Sequence, residues 1–206
     1  MSAGNGTVFV LDDEPGMLKA LKRLLEAEGF IVRAFTSAKA FLESYQPEVP
    51  SCLVLDVEMP ELNGMELQQR LTSAENQLPI IFLTGRGDVP MSVKAMKAGA
   101  LDFLTKPVKD VDLLGAVHSA LQRSAERHVV DSEMDSLRQR YASLTPRECE
   151  VMALVVAGSL NKQIAYAMGI VERTVKAHRG RVMEKMGVAS LADLVRAAER
   201  LGLGEK

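Results

Sequence analysis

Over its first 122 residues the chain alternates five times between two hydrophobic periods, and this alternation limits its fold more than any other feature. Short apolar runs, mostly β-branched or aromatic, stand at Thr7–Leu11, Phe30–Phe35, Cys52–Leu55, Ile80–Leu83 and Asp102–Leu104 and read as strands. Between them apolar residues recur at three- and four-residue spacing, as at Met17, Leu18, Leu21, Leu24 and Leu25. Similar segments lie at Ala38–Tyr45, Met65–Leu71 and Pro90–Ala98, and Val111–Leu121 follows the last run. Pro15, Pro60 and Pro90 stand near the starts of helical segments, and Gly29 and Gly99 just past their ends, as capping asymmetry expects. Strand and helix alternating in this way predict an α/β domain, a parallel sheet with helices on both faces.

The pattern then changes. Residues 122–143 are polar and charged and contain neither Pro nor Gly. Leu114, Val117, Leu121, Ala125, Val129, Met134, Leu137 and Tyr141 keep a roughly helical spacing, so the last helix is expected to run on as a connector, with a break near Asp131. Beyond it only helical patterns occur, at Pro146–Ala157, Lys162–Met168, Glu172–Met186 and Leu191–Arg200. Thr145-Pro-Arg-Glu148 has the form of a capping box, with Pro at the first helical position. The expected organisation is an α/β domain over 1–122, a helical linker over 123–143 and a small all-α domain over 144–206. Charge divides along the same line: residues 1–123 hold 12 Lys/Arg against 16 Asp/Glu, and residues 124–206 hold 13 against 11. An acidic front and a locally basic back suggest different partners for the two parts.

Composition enters as exclusion. With 47% apolar and 25% charged residues the chain is an ordinary globular sequence rather than a disordered or low-complexity one. No apolar run approaches the ~18 residues of a membrane span. The opening MSAGNGTVFVLDD lacks a basic start and turns acidic at Asp12, so no signal peptide is expected and the cytoplasm is the expected location. Cys52 and Cys149 form no CxxC and have no nearby His pair, which argues against a zinc site or a disulfide framework. His118, His128 and His178 likewise form no ligand spacing and read as surface or helix-packing residues.

Chemistry gathers at the ends of the predicted strands. Asp12 and Asp13 end the first, Asp56 the third, Thr84 the fourth, and Lys106, followed by Pro107, the fifth. Open α/β sheets bind ligands outside the carboxyl ends of their strands, where the strand order reverses. In a flavodoxin-like, doubly wound (βα)5 order of 2-1-3-4-5, that point lies between the first and third strands, where the three aspartates would meet. Three adjacent carboxylates repel one another unless a cation neutralises them. A hard divalent ion suits them, and Mg²⁺ (or Mn²⁺) holds few carboxylates while keeping sites for phosphate oxygens. Asp56 is placed as a nucleophile, and a carboxylate attacking phosphorus gives an aspartyl phosphate. The developing charge on the phosphoryl oxygens would be balanced by the cation, the Lys106 ammonium and the Thr84 hydroxyl.

The segments VLDDEP (10–15), LVLDVEMPELNG (53–64), IIFLTGRGD (80–88) and AGALDFLTKP (98–107) resemble the receiver domain of bacterial two-component response regulators. The resemblance implies that Asp56 accepts a phosphoryl group from the phosphohistidine of a sensor histidine kinase. It implies that Asp12, Asp13, Asp56 and the Glu58 backbone carbonyl hold the metal. It also makes Thr84 and Phe103 a switch pair; read without the family, Phe103 is a core aromatic.

The basic end has its own logic. NKQIAYAMG (161–169) and ERTVKAHRGRVMEKMG (172–187) suggest two helices joined by a short turn, the helix-turn-helix arrangement in which the second helix enters the major groove. At about 100° per residue, Val175, Val182 and Met186 share one face, with His178 at its edge. Arg173, Lys176, Ala177 and Gly180 face the other way, flanked by Arg179 and Arg181. Small side chains at Ala177 and Gly180 allow close approach to base edges, although Gly180 costs about 1 kcal/mol of helix propensity. Lys176 is the candidate base contact; Arg173, Arg179, Arg181 and Lys162 are expected on phosphates, with Thr174 beside them.

Residues 144–188 resemble the LuxR-type DNA-binding domain, most specifically at TPRE, NKQIA and TVKAHR. Together the two halves resemble a response regulator of the FixJ/NarL class. That resemblance implies a phosphorylation-gated transcription factor, not an enzyme beyond its own phosphorylation and slow dephosphorylation. Its partners would be a sensor histidine kinase, promoter DNA and RNA polymerase, with no membrane. Phosphorylation would favour a homodimer through Val93, Met96, Lys97 and Phe103. Two other functions remain open in the residues. One is an aspartyl-phosphate phosphatase, with Glu58 as the second acid. The other is a DNA-binding protein that acts without phosphorylation and whose receiver is vestigial.

Overall fold

The computed structural model describes residues 5–46, 50–73, 78–85 and 89–203. The chain divides into two compact units, residues 1–128 and 129–206.

In the first unit β1 (Asn5–Leu11), α1 (Pro15–Ala27), β2 (Phe30–Phe35), α2 (Ala38–Ser44), β3 (Ser51–Asp56), α3 (Gly64–Ser73), β4 (Ile80–Thr84), α4 (Val89–Lys97) and β5 (Asp102–Thr105) alternate, and α5 (Asp110–Ala142) follows. The five strands form one sheet in the order β2-β1-β3-β4-β5, with every neighbouring pair parallel. This is the doubly wound architecture that the alternating periods predict. The order reverses beside β1, so the carboxyl ends of β1 and β3 open onto the switch point.

Parallel strands covered on both faces carry apolar residues without alternation, and every residue of β3 and β4 is buried. Successive side chains go to opposite layers. Val8, Val10, Cys52, Val54, Ile81 and Leu83 pack with Leu18, Leu21 and Leu25 of α1 and Leu113, Val117 and Ala120 of α5. Phe9, Leu11, Leu53, Leu55 and Phe82 pack with Phe41 of α2, Leu67 and Leu71 of α3 and Ala95 of α4. Phe9 anchors this second layer, its ring fully buried and edge-on to Phe41 at 5.7 Å and to Tyr45 at 5.4 Å between centroids. Truncating such a ring to Ala costs about 3–5 kcal/mol.

α5 runs without interruption from Asp110 to Ala142, so the break expected near Asp131 is absent. The stretch has no Pro or Gly after Gly115. A single solvated Asp costs a helix only a few tenths of a kcal/mol, too little to end it. No helix among the described residues is long and apolar enough to cross a membrane.

In the second unit the final part of α5 is followed by α6 (Pro146–Val156), α7 (Asn161–Met168), α8 (Glu172–Met186) and α9 (Leu191–Arg200). The capping box is formed: Glu148 N–H donates to Thr145 Oγ1 at 3.3 Å, and Thr145 N–H donates to Glu148 Oε2 at 2.9 Å. Gly169, at φ 64°, ends α7 in the left-handed region, where a Cβ is penalised. The core gathers Leu137, Val151, Met152, Val155, Ile164, Val175, Val182, Met186, Leu194 and Ala198.

Candidate functional site

The strand ends bring the predicted phosphoryl-transfer residues together. Asp12 follows β1 and is 1% exposed; Asp56 ends β3 and is 5% exposed; Asp13 is exposed. Ligand atoms from the three carboxylates lie within 4.8 Å of one another. Lys106 follows β5, and its N–H donates to the Thr84 carbonyl at 2.7 Å. Its Nζ donates to Asp12 Oδ2 at 2.7 Å and to Asp56 Oδ2 at 2.8 Å. The remaining oxygens are oriented by the backbone: Asp12 Oδ1 accepts from Glu14 N–H at 2.9 Å, and Asp56 Oδ1 from Glu58 N–H at 3.2 Å. Both bonds span two residues, the side-chain turns that Asp readily forms.

Burial pulls the Lys106 ammonium below its ordinary pKa, but the hydrogen bonds it donates to Asp12 and Asp56, with their charges, outweigh it and hold the group above that value. One ammonium against three carboxylates leaves two negative charges in excess around a pair of buried acids. A hard divalent cation with oxygen ligands fits that donor set. The buried Thr84 side chain lies at the end of β4, and Phe103, half-buried in β5, packs against Phe82 at 6.1 Å between centroids. Glu58 is exposed, in the turn after Asp56. Val93, Met96 and Lys97 of α4 are all exposed.

Gly64 holds this pocket in a way its place in the sequence does not reveal. It opens α3 just after the cap Asn63, whose Oδ1 accepts from Glu66 N–H at 2.9 Å. Its N–H donates to the Val57 carbonyl at 3.0 Å. A Cβ on Gly64 would lie 2.4 Å from the Asp56 carbonyl oxygen and 3.1 Å from both Val57 Cα and the Phe82 ring. The glycine is required by space, because α3 begins against the backbone that carries Asp56. An Asn-Gly pair after an acidic turn is the available signal, but it reads equally well as an ordinary helix start.

The second cluster lies on α7 and α8. Val175, Val182 and Met186 are buried in the helical core, while Arg173, Lys176, Ala177, Gly180, Arg181 and Lys162 are not buried. Thr174 is half-buried, and so is His178, whose Nδ1 is buried without a hydrogen-bond partner among the described residues. Arg179 differs from its basic neighbours: it is half-buried, and its Nη1 donates to Asn161 Oδ1 at 2.6 Å. Below this surface Lys185 Nζ donates to Glu148 Oε2 at 2.6 Å and to the Ser143 carbonyl at 3.0 Å. The Lys185 bond and the Thr145 N–H hold the Glu148 carboxyl at about 2. Asn161 opens the NKQIA motif, but neither that motif nor the sequence around Lys185 reveals these pairings, because each residue meets its partner only through the fold.

Known proteins match both clusters. Residues 8–118 match the family described as the response regulator receiver domain, and residues 142–198 match the bacterial regulatory proteins of the luxR family. The chain is 47% identical over 196 residues to nodulation protein W of Bradyrhizobium diazoefficiens, covering 95% of this chain and 86% of that protein. It is 44% identical to the response regulator protein TmoT of Ectopseudomonas mendocina, covering 98% of this chain and 91% of that one. Among solved structures, the response regulator StyR aligns with a TM-score of 0.87 at 47% identity, covering 95% and 98% of the two chains. Full-length FixJ from B. japonicum aligns with a TM-score of 0.58 at 41% identity, covering 96% and 98%.

Proposed function

The chain belongs to the response regulators of the FixJ/NarL class, transcriptional regulators that join a receiver domain to a LuxR-type DNA-binding domain, and from this we propose that phosphorylation of Asp56 gates its binding to promoter DNA. The observation that carries the proposal is the pocket in which Lys106 Nζ touches both Asp12 and Asp56, at 2.7 and 2.8 Å, with Asp13 beside them. A sensor histidine kinase presents a phosphohistidine. The P–N bond breaks with its electron pair going to the imidazole, and an Asp56 carboxylate oxygen forms the new P–O bond. Asp12, Asp13, Asp56 and the Glu58 carbonyl would hold Mg²⁺, which supplies charge neutralisation at the phosphoryl oxygens.

This chain's own part begins with Lys106. Its ammonium exchanges the Asp56 oxygen for a phosphoryl oxygen while keeping its bond to Asp12. The Thr84 hydroxyl turns toward the new group, and Phe103 fills the space it leaves. The receiver then favours a state that dimerises through the exposed α4 residues Val93, Met96 and Lys97 with Phe103. Two copies of α8 meet a two-fold DNA site, with Lys176 at base edges, Thr174, Ala177 and Gly180 close to them, and Lys162, Arg173 and Arg181 on phosphates. A dimer held there is positioned to contact RNA polymerase.

The test is a salt-controlled titration against promoter DNA, with and without acetyl phosphate and Mg²⁺, alongside light scattering. Tighter binding and a doubled mass are expected, both absent in Asp56→Asn. Equal affinity and mass under all conditions would refute gating and leave a DNA-binding protein with a passive receiver.

A further inference from the structure

We infer that Arg179 serves DNA binding as a positioning residue, holding α7 against α8 through Asn161, and not as a phosphate contact. The inference rests on the DNA-binding reading and deepens it. Arg179 lies midway along α8, and Asn161 is the first residue of α7, 18 positions earlier. Among the described residues theirs is the one side-chain hydrogen bond between the two helices. Apolar packing joins the helices elsewhere, through Ile164, Ala165, Val175 and Val182. Apolar burial is non-directional, so it holds the helices together without fixing how far one slides or rolls on the other. The turn at Gly169 adds only a short link, with φ 64° at the end of α7.

A guanidinium is suited to fixing register because its planar fork presents donors in set directions. At 2.6 Å from Asn161 Oδ1, Arg179 has committed one of them. Its half-burial sets it apart from the exposed Arg173 and Lys176. At the start of α7, the N-cap Leu160 has no side-chain oxygen, and its own N–H goes to Gln163 Oε1 at 2.8 Å. The Asn161 oxygen accepts from Arg179, and among the described residues no side-chain oxygen accepts from the first-turn N–H groups of α7, where Lys162 stands. Helix N-termini and Lys are both common sources of phosphate contacts. Without the bond that end would move relative to Lys176, so phosphate and base contacts could no longer be made in one pose.

Salt dependence separates the two roles. Removing one phosphate-binding side chain lowers the slope of log K against log salt by about 0.9, whereas a positioning residue releases no counterion. The full chain would be titrated at several salt concentrations against a duplex that the wild type has selected from a random-sequence pool. Arg179→Met and Asn161→Ala are each expected to bind about tenfold more weakly, the scale of one charge-assisted hydrogen bond. The double variant should bind no more weakly than either, and all three should keep the wild-type slope. Arg179→Lys, which keeps the charge and loses the fork, should be weakened like Arg179→Met. A slope lowered by about 0.9 in Arg179→Met alone, losses that multiply in the double variant, or near-normal binding by Arg179→Lys would overturn the inference. Failure of the wild type to select any duplex would instead refute the DNA-binding reading itself, before any variant is compared.

Discussion

Replacing Gly64 with Ala tests how the pocket proposed to accept the phosphoryl group is held. The new methyl carbon would lie 2.4 Å from the Asp56 carbonyl oxygen and 3.1 Å from Val57 Cα. Ordinary contact needs roughly 3.4 Å, so the backbone at Asp56 and the start of α3 must part by about 1 Å. Backbone dihedrals do not enter, because Gly64 is not among the residues at positive φ. Overpacking of this kind costs about 1–3 kcal/mol. Gly64 is the first residue of α3, outside the helix interior where Ala gains over Gly, so most of this destabilisation should remain. The larger effect should fall on chemistry, since a displacement of about 1 Å at reacting atoms can slow a step roughly a hundredfold. Phosphorylation by acetyl phosphate with Mg²⁺, followed by intact mass, should therefore be slowed far more than the shift in melting temperature suggests. Gly115→Ala is the control: it is helical, with no atom within 4 Å of its added Cβ, and should raise stability by about 0.5–1 kcal/mol at an unchanged rate. A Gly64→Ala protein that phosphorylates and melts like the wild type would show that the close approach at Asp56 does not constrain the pocket.

Other outcomes follow from the same geometry. Asp13→Asn, at an exposed position, should leave melting without metal nearly unchanged while abolishing the rise in melting temperature on adding Mg²⁺; a persisting rise would remove Asp13 from the ligand set. Glu148 is held at about 2 by Lys185 and Thr145, below the usual value of about 4.3. Its contribution is present above pH ~4.3 and is lost as pH falls toward the folded value. Acid denaturation of Glu148→Gln should thus be flatter than wild type between pH ~4.3 and ~2, and parallel curves would refute the role of the pair. Gly180→Ala places a methyl where nothing lies within 4 Å, so it should raise stability by about 0.5–1 kcal/mol, and any loss of DNA affinity beside that gain would mark a base approach that needs the missing side chain. Burial pushes the Cys52 thiol up to about 12, so iodoacetamide at pH 8 should label Cys149 and leave Cys52 unmodified until the protein unfolds.

Much of the first unit is legible in the sequence because its signals are local. Thr7–Leu11 and Cys52–Leu55 are apolar over consecutive positions, and such runs lie in the two buried central strands β1 and β3. Asp12, Asp56, Thr84 and Lys106 can be placed because strand ends converge wherever a parallel sheet changes direction. The capping box at Thr145 is equally plain, being contained within four residues. What escapes is fixed at a distance. Gly64 is required by a carbonyl eight positions before it, Arg179 is claimed by a residue 18 positions before it, and Lys185 by one 37 positions before it. The continuity of α5 past Asp131 escapes for the opposite reason: a weak local preference at one residue is outweighed by 33 residues of cooperative helix.

The complete burial of β3, between β1 on one side and β4 on the other, bears on how a transient mark is kept. Amide groups in such a strand exchange with solvent through the rarest openings of a domain, those close to global unfolding. Asp56 terminates that strand, so the phosphoryl group proposed to arrive there would be attached at the end of a strand expected to open rarely. The exposed Val89 and Pro90 at the start of α4 and the half-buried Phe103 on the edge strand β5 lie in less buried parts, where opening is expected to cost less. Under the proposed function, the modified residue would then be shielded from local opening of the domain. Whatever reads it must lie among segments that can rearrange while the sheet beneath them stays closed.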